Sequence, residues 1–298
     1  MGDVVLHLGA HGTDRGLIAG WLLRNVQALA RLGVQTVPAG RFLDALSPGS
    51  PPLAGTGRRD DPLSDLCRGF RRLAVSAPSL LGAEDAALAP EGFYAAQPER
   101  AITRLRRVLP ADSALTLCLA VGSARMLLPP LLRAAGRAER PPEALLDAFG
   151  ADGLPWAALV ARLRAAAPDA RITVWRHEDL PRIWPQVLAQ IAGTLQDLPV
   201  EGAGEFALLG HTEEAQQRMR RYLAAKPPPT IALMRRVADA FAAGYGLAEV
   251  KPPPALGELP VALQARLARL DEGYQAEMAR IAEIGGVSVL GQDVTMSG

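Results

Sequence analysis

The chain reads as a three-layer α/β domain built on a mainly parallel sheet. Three observations predict this fold class. The first about 35 residues alternate strand, helix and strand, the pattern of a βαβ unit. The first strand candidate is a short, mostly apolar run with β-branched residues, as expected of a strand buried in a parallel sheet. The segments between strand candidates carry leucines at helical spacing.

Val4 to Leu8 is the first such run, and Gly9 ends it. Leu17, Ile18, Trp21, Leu22, Val26, Leu29 and Leu32 then recur at helical intervals, with Gly33 as the stop. Val34 to Val37 predicts a second strand. Residues 38–60 are rich in Pro, Gly, Ser and Asp and read as a surface loop. Leu73 to Ser76 is a candidate third strand; residues 77–96 look irregular, and a helix is expected from about Pro98 to Leu109. Ala114 to Val121 is the strongest central strand. Gly122-Ser123 closes it and opens a helix that Pro129-Pro130 interrupts or restarts.

Trp156 to Ala166 is amphipathic, Arg171 to Trp175 is a strand and Pro185 to Leu195 a helix. From His211 the pattern is helical: His211 to Ala225, Thr230 to Tyr245 and Pro260 to Ile284, separated by two stiff triproline connectors. Val287 to Leu290 is a possible closing strand. The expectation is a sheet of four or five strands in an α/β core over residues 1–200. A helical region over 201–298 packs on that core as a single compact unit.

Composition narrows the function classes. A hydrophobic share of 49% and a charged share of 21% are ordinary for a globular protein, and a net charge of +1 gives no field for nucleic acid. Lys226 and Lys251 are the only lysines, so an anion site here has to use arginine, backbone N–H groups or a helix N-terminus. Cys67 and Cys118 fit reduced thiols rather than a disulfide framework. The start of the chain lacks a basic n-region, and the apolar run Leu115 to Val121 is too short to cross a bilayer. A cytoplasmic protein that binds neither membrane nor nucleic acid is expected.

The segment Val5-Leu6-His7-Leu8-Gly9-Ala10-His11-Gly12-Thr13 resembles the opening of bacterial sulfotransferase-family proteins, whose pattern is close to L-H-I-G-x-H-K-T-G-T-T. Ser76 to Gly82 sits where the family carries S-x-E-N-L-L-G, and Leu119 to Ser123 takes the place of a strand ending in Arg-Ser. Ile172 to Leu180 resembles a strand end of the form v-x-R-Y-E-D-L. The resemblance implies a P-loop-type fold whose first loop wraps the phosphosulfate of 3′-phosphoadenosine-5′-phosphosulfate (PAPS). Backbone N–H groups and a lysine would hold it, and an Arg-Ser pair would grip the 3′-phosphate.

Residue by residue, His7, Gly9, His11 and Thr13 match, and Ser123 matches at the second phosphate. Gly12 stands at the lysine position, Asp14 at the next glycine, and Arg15 and Gly16 at the two threonines. Gly122 replaces the arginine and Pro78 the acidic residue. The resemblance therefore implies a nucleotide site made of Gly9, Gly12, Thr13, Asp14, Arg15, Gly16, Ser123 and Arg125. In it Arg15 substitutes for the lysine, Arg125 for the missing arginine, and His11 is the candidate general base.

The bland reading of Asp14 is an N-cap of the helix that begins near Gly16, and Arg125 reads more simply as a solvated surface residue. The resemblance implies that Arg176 to Asp179 brace the cleft and cap the next helix. His7 and His11, four apart on a strand and loop, do not share a face as they would on a helix, so no metal site is expected. The loss of charge at both phosphate ends implies a protein degenerate for PAPS, kept as a binding or scaffold module. An active sulfotransferase with a rebuilt loop, acting on a hydroxyl of a small-molecule acceptor, is the alternative. The partner and the oligomeric state are left open.

Overall fold

The computed structural model describes residues 2–47, 66, 69–89, 92–95, 97–109, 113–137, 141–147, 149, 153–193, 195–248 and 252–291. Its strands are β1 (Asp3–His7), β2 (Val34–Thr36), β3 (Arg72–Ser76), the short pair β4 (Leu88–Ala89) and β5 (Gly92–Phe93), β6 (Leu115–Val121), β7 (Arg171–Arg176) and β8 (Val287–Leu290). The main sheet runs β2-β3-β1-β6-β7-β8, and every pairing in it is parallel. β4 and β5 form a separate antiparallel pair.

Helices α1 (Leu17–Arg24), α2 (Val26–Arg31) and α3 (Ala39–Leu46) belong to the N-terminal third. α4 (Gln97–Val108), α5 (Ala124–Arg137), α6 (Pro142–Asp147), α7 (Trp156–Ala166) and α8 (Leu180–Ala192) follow. The C-terminal third supplies α9 (Gly204–Ala207), α10 (Glu213–Ala225), α11 (Ile231–Tyr245), α12 (Val261–Glu272) and α13 (Tyr274–Ala282).

Side-chain alternation along the strands divides the core in two. Val4, Leu6, Val75, Leu117, Leu119 and Val174 face one layer with α4, α5, α7, α12 and α13. Val5, Ala74, Cys118, Ala120 and Trp175 face the other, with α1, α2, α8 and α11. Because both faces are covered, the central strand Leu115–Val121 is buried at every position. The three-layer α/β fold is the one the sequence predicts.

The details differ in places, for identifiable reasons. The sheet has six strands, because the two weakest candidates, residues 72–76 and 287–290, both join it. β8 lies beside β7, so the C-terminal region contributes to the sheet as well as packing on it. The segment expected to be loop from residue 38 begins with α3, which buries Phe42 and Leu46; residues 48–60 lie outside the described residues. Pro129 and Pro130 sit inside a continuous α5. The helix expected from Pro185 starts five residues earlier, with Pro181 in its first turn and Pro185 inside it.

The first long helix breaks at Asn25, whose side-chain amide donates to the Trp21 carbonyl at 2.8 Å and the Glu201 carbonyl at 2.9 Å. The last one breaks at Gly273. No helix among the described residues is long and apolar enough to cross a membrane.

Candidate functional site

From β1 the chain runs to β2 at the edge and back to β3 on one side, then crosses to β6 on the other. The order therefore reverses between β1 and β6. In open α/β sheets, ligands bind in the crevice outside the carboxyl ends of the strands at such a point. The loop after β1 (residues 8–16) and the turn after β6 (122–123) both open there. These are the two places where the sequence expects phosphate contacts.

The first loop folds tightly. Gly9, Gly12 and Gly16 have φ of +55°, +83° and +78°, and Arg15, at +50°, adopts the left-handed conformation without glycine's freedom. Thr13 is buried, and its hydroxyl donates to the Ala10 carbonyl at 2.8 Å. Asp14 is also buried, 8% exposed. Its Oδ1 accepts the Gly16 N–H at 3.2 Å and its Oδ2 accepts the Ile18 N–H at 2.9 Å, while its carbonyl accepts from Leu17 at 3.0 Å.

Gly16 is the residue at the start of α1, yet the side chain that closes the helix belongs to Asp14, two positions earlier. A carboxylate of the chain thus occupies N–H groups of the kind that cradle a phosphate at a helix N-terminus. Arg15 is exposed beside it.

The turn after β6 is closed in the same way. Glu178 Oε1 accepts the Ser123 N–H at 2.9 Å, and Asp271 Oδ1 accepts from the N–H groups of Ala124 and Arg125, the latter at 3.3 Å. The N-terminus of α5 is therefore held by two carboxylates, one from after β7 and one from α12. Burial raises the pKa of Asp271, and the two N–H bonds oppose that rise. The Arg125 side chain is exposed.

Gly122 stands where the resembled pattern has arginine. A Cβ there would meet Leu127 side-chain atoms at 3.0 and 3.1 Å, so that side chain would have to give by a few tenths of an ångström. At the third departure, Pro78 opens a short 3₁₀ turn over Pro78–Leu81.

Glu178 acts as a cross-brace. Its second oxygen accepts from the Tyr274 hydroxyl at 3.1 Å, and Arg176 lies over the Tyr274 ring at 5.6 Å. The segment braces the cleft as expected, but the expected cap differs. Asp179 occupies the N-cap position of α8 and makes no side-chain cap bond. A fourth carboxylate repeats the theme: buried Glu277 accepts the Ala157 N–H at the start of α7 at 2.6 Å and pairs with Arg280 at 2.6 Å.

His11, the candidate base, is engaged elsewhere. Its N–H and Nδ1 both lie 3.1 Å from the Tyr94 hydroxyl, and the two rings stack with centroids 5.7 Å apart. Burial lowers its pKa, while Glu84 and the Gly82 backbone push it up less strongly. Tyr94 is itself anchored through its carbonyl, which accepts from Arg162 at 2.6 Å. His7 is fully buried, bonded to Ser76 Oγ at 2.9 Å and stacked on Trp175 at 5.7 Å. The His7 environment is that of a packed core histidine. No group of three or more metal-ligating side chains occurs among the described residues.

A cleft of about 540 Å³ opens beside the first loop, within the size range of ligand sites. Thr13, Asp14 and Arg15 line it; His11, Ser123 and Arg125 lie outside its lining. Its other walls come from residues 177–181 after β7 and from residues 209–216 of the C-terminal region.

His177 and His211 face the cleft, and burial lowers the pKa of both. The sequence does not single out His211, Asp271 or Glu277 as site residues. The one local signal is the Thr212-Glu213-Glu214 helix start beside His211, where the Thr212 hydroxyl caps α10 at Ala215.

The chain matches no family model, no curated protein and no solved structure.

Proposed function

We propose that this chain is a sulfotransferase-like α/β protein that has given up PAPS chemistry and serves as a binding or assembly module. The observation that carries this reading is Asp14, whose carboxylate takes the N–H groups of Gly16 and Ile18. A phosphosulfate entering that loop has to displace a bonded carboxylate and then sit near its charge. Both steps oppose binding, and no lysine offsets them.

The second phosphate position meets the same obstacle in Glu178 and Asp271. His11, hydrogen-bonded and stacked on Tyr94, is also poorly available to take a proton from an acceptor hydroxyl.

One observation favours the alternative of an active sulfotransferase: Arg15 lines the cleft and is exposed, so its guanidinium can reach a bound anion. Calorimetric titration with the desulfonated nucleotide, 3′-phosphoadenosine-5′-phosphate, separates the two. The module reading expects no heat of binding up to roughly millimolar nucleotide. It also expects binding to emerge in the Gly12→Lys, Asp14→Gly double variant; position 12 has room, the nearest atom to a new Cβ being Pro130 Cγ at 3.8 Å, although its φ of +83° adds strain. Roughly micromolar binding by the unaltered protein, abolished by Arg15→Ala, would overturn the module reading in favour of the enzyme.

A further inference from the structure

A second groove, of about 400 Å³, lies between α10 and α11 and shares no lining residue with the cleft beside the first loop. Tyr222 and the connector Pro227 to Pro229 line it on one side, and Leu233, Val237 and Ala240 on the other. Tyr222 and Leu233 are 41% and 40% exposed. The three α11 residues recur at helical intervals and so share one face of that helix. The apolar surface continues along α11 through Phe241, whose ring stacks on exposed Tyr245 at 5.7 Å. From Leu233 to Tyr245 the stripe runs about 18 Å, roughly three helical turns.

The groove is formed before any occupant arrives. Lys226 N–H donates to the Tyr222 carbonyl at 2.8 Å at the end of α10, and the Thr230 hydroxyl accepts the Leu233 N–H at 3.2 Å at the start of α11. The three prolines between these ends have φ fixed by their rings, so binding here loses little chain freedom.

The charge around this apolar surface has one sign. Lys226 and Arg236 line the groove, and Arg221 is exposed next to Tyr222. None of the three has a hydrogen bond or ion pair among the described residues. No carboxylate is among the groove's described lining, and Glu214 and Asp239 on the same two helices are paired with Arg218 and Arg235. In a chain of net charge +1, three unpaired cations beside one apolar groove are a local concentration.

We propose that this groove docks an acidic amphipathic helix of about three turns, supplied by a partner protein. Its apolar side chains, three and four positions apart, enter beside Leu233 and Val237, and its flanking carboxylates meet Lys226, Arg236 and Arg221. Apolar burial supplies affinity, and the charges select the partner and set its orientation. A second copy of this chain fits poorly, because two-fold pairing across this face sets Lys226 and Arg236 against themselves. A bilayer fits poorly too, because these apolar side chains line a hollow instead of projecting from the surface. The inference goes beyond the module reading and holds whether or not the first-loop cleft takes a nucleotide.

The test follows amide proton–nitrogen spectra of the full chain while model helices of about 12 residues are added. One carries leucines at helical spacing flanked by glutamates, a second the same leucines flanked by lysines, and a third the glutamates with serines in place of leucines. The first should give saturable shifts at Lys226, Leu233, Arg236 and Val237. The second should bind about tenfold more weakly, and the third should give no shifts. The Lys226→Glu, Arg236→Glu double variant, changed only at exposed positions, should reverse the preference between the first two peptides. Leu233→Ala should weaken the first several-fold, and added salt should weaken it in the unaltered protein. Denaturation midpoints close to that of the parent establish that both variants are folded.

Equal binding of the glutamate and lysine helices, shifts confined to other elements, or no shifts with any peptide at roughly millimolar concentration overturns the proposal. Dimerisation that Leu233→Ala abolishes, or flotation with phosphatidylserine–phosphatidylcholine vesicles, without a response to the glutamate helix, gives the face to a second copy or to lipid and overturns it equally. The nucleotide titration is read separately, and its outcome decides the module reading alone.

Discussion

Replacing Asp14 with alanine is expected to cost about 2 kcal/mol of stability, measured by chemical denaturation, because the buried Ile18 N–H and the part-buried Gly16 N–H lose a charged acceptor. Each of the bonds to Gly16 and Ile18 is charge-assisted, and the carboxylate is 8% exposed, so water replaces it poorly. An ordinary cap deletion costs about 1 kcal/mol. The larger figure follows because Asp14 also holds the loop in shape around Arg15, whose φ of +50° needs the surroundings to impose it.

The loss should be partly reversible by sulfate. With its carboxylate gone, the start of α1 is an open anion site, and sulfate binding there stabilises the variant in proportion to occupancy. Sulfate also stabilises folded proteins generally, so the quantity to compare is the excess gain of the variant over the unaltered protein. An excess of about 1 kcal/mol or more is expected once sulfate exceeds its dissociation constant roughly tenfold. A variant with the same sulfate response as the parent would show that the carboxylate was not filling an anion site.

Acidification is the second large effect. All four histidines have pKa values lowered chiefly by burial, from an ordinary 6.5. Nearby carboxylates oppose the shift at each: Asp14 at His7, Glu84 at His11, Glu178 and Asp14 at His177, and Asp239 at His211. A histidine held neutral in the fold binds fewer protons than in the unfolded chain once the pH drops below about 6.5, so stability falls as pH falls.

While it stays neutral, each such group contributes up to about 1.4 kcal/mol per pH unit. His7, fully buried against Ser76 and Trp175, should therefore contribute to the loss of stability as the pH falls below about 6.5. The other three act in the same direction. Asp179 and Asp271, raised by burial, act oppositely but nearer their ordinary value of 3.8. Denaturation midpoints at a series of pH values check the slope, and His7→Phe should flatten it. A stability that is level from about pH 7 to about pH 5 would contradict the buried-neutral assignment.

How much of this the sequence discloses depends on the range of the interaction. Periodicity and punctuation are local, so the βαβ start, the strand Leu115–Val121 and the helices after the triprolines are visible in the chain. Short strands carry little pattern, which is why residues 72–76 and 287–290 are weak candidates although both join the sheet.

Asp14 is readable as a cap because the helix it closes starts within four residues. Asp271 and Glu277 are not, because the N–H groups they accept from lie 147 and 120 positions away. On α12 and α13 each looks like one more acidic residue of a solvated face. The cleft's acidic lining is hidden for the same reason: Asp14, Glu178 and Glu213 become neighbours of one space only once the sheet brings three loops to one edge. That glycine rather than arginine stands at position 122 is visible in the sequence. The Leu127 side chain that a Cβ there would crowd is not.

The claim that the chain's own carboxylates close its anion sites is open to one direct measurement. Amide proton–nitrogen correlation spectra can be followed while the nucleotide or sulfate is added, reading Gly16 and Ile18 at the first site and Ser123 and Ala124 at the second. In the unaltered protein these four resonances should not move, and in Asp14→Ala the Gly16 and Ile18 resonances should shift with saturation. Saturable shifts of Gly16 and Ile18 in the unaltered protein would mean that an anion displaces Asp14, and the carboxylates would then be gates rather than plugs.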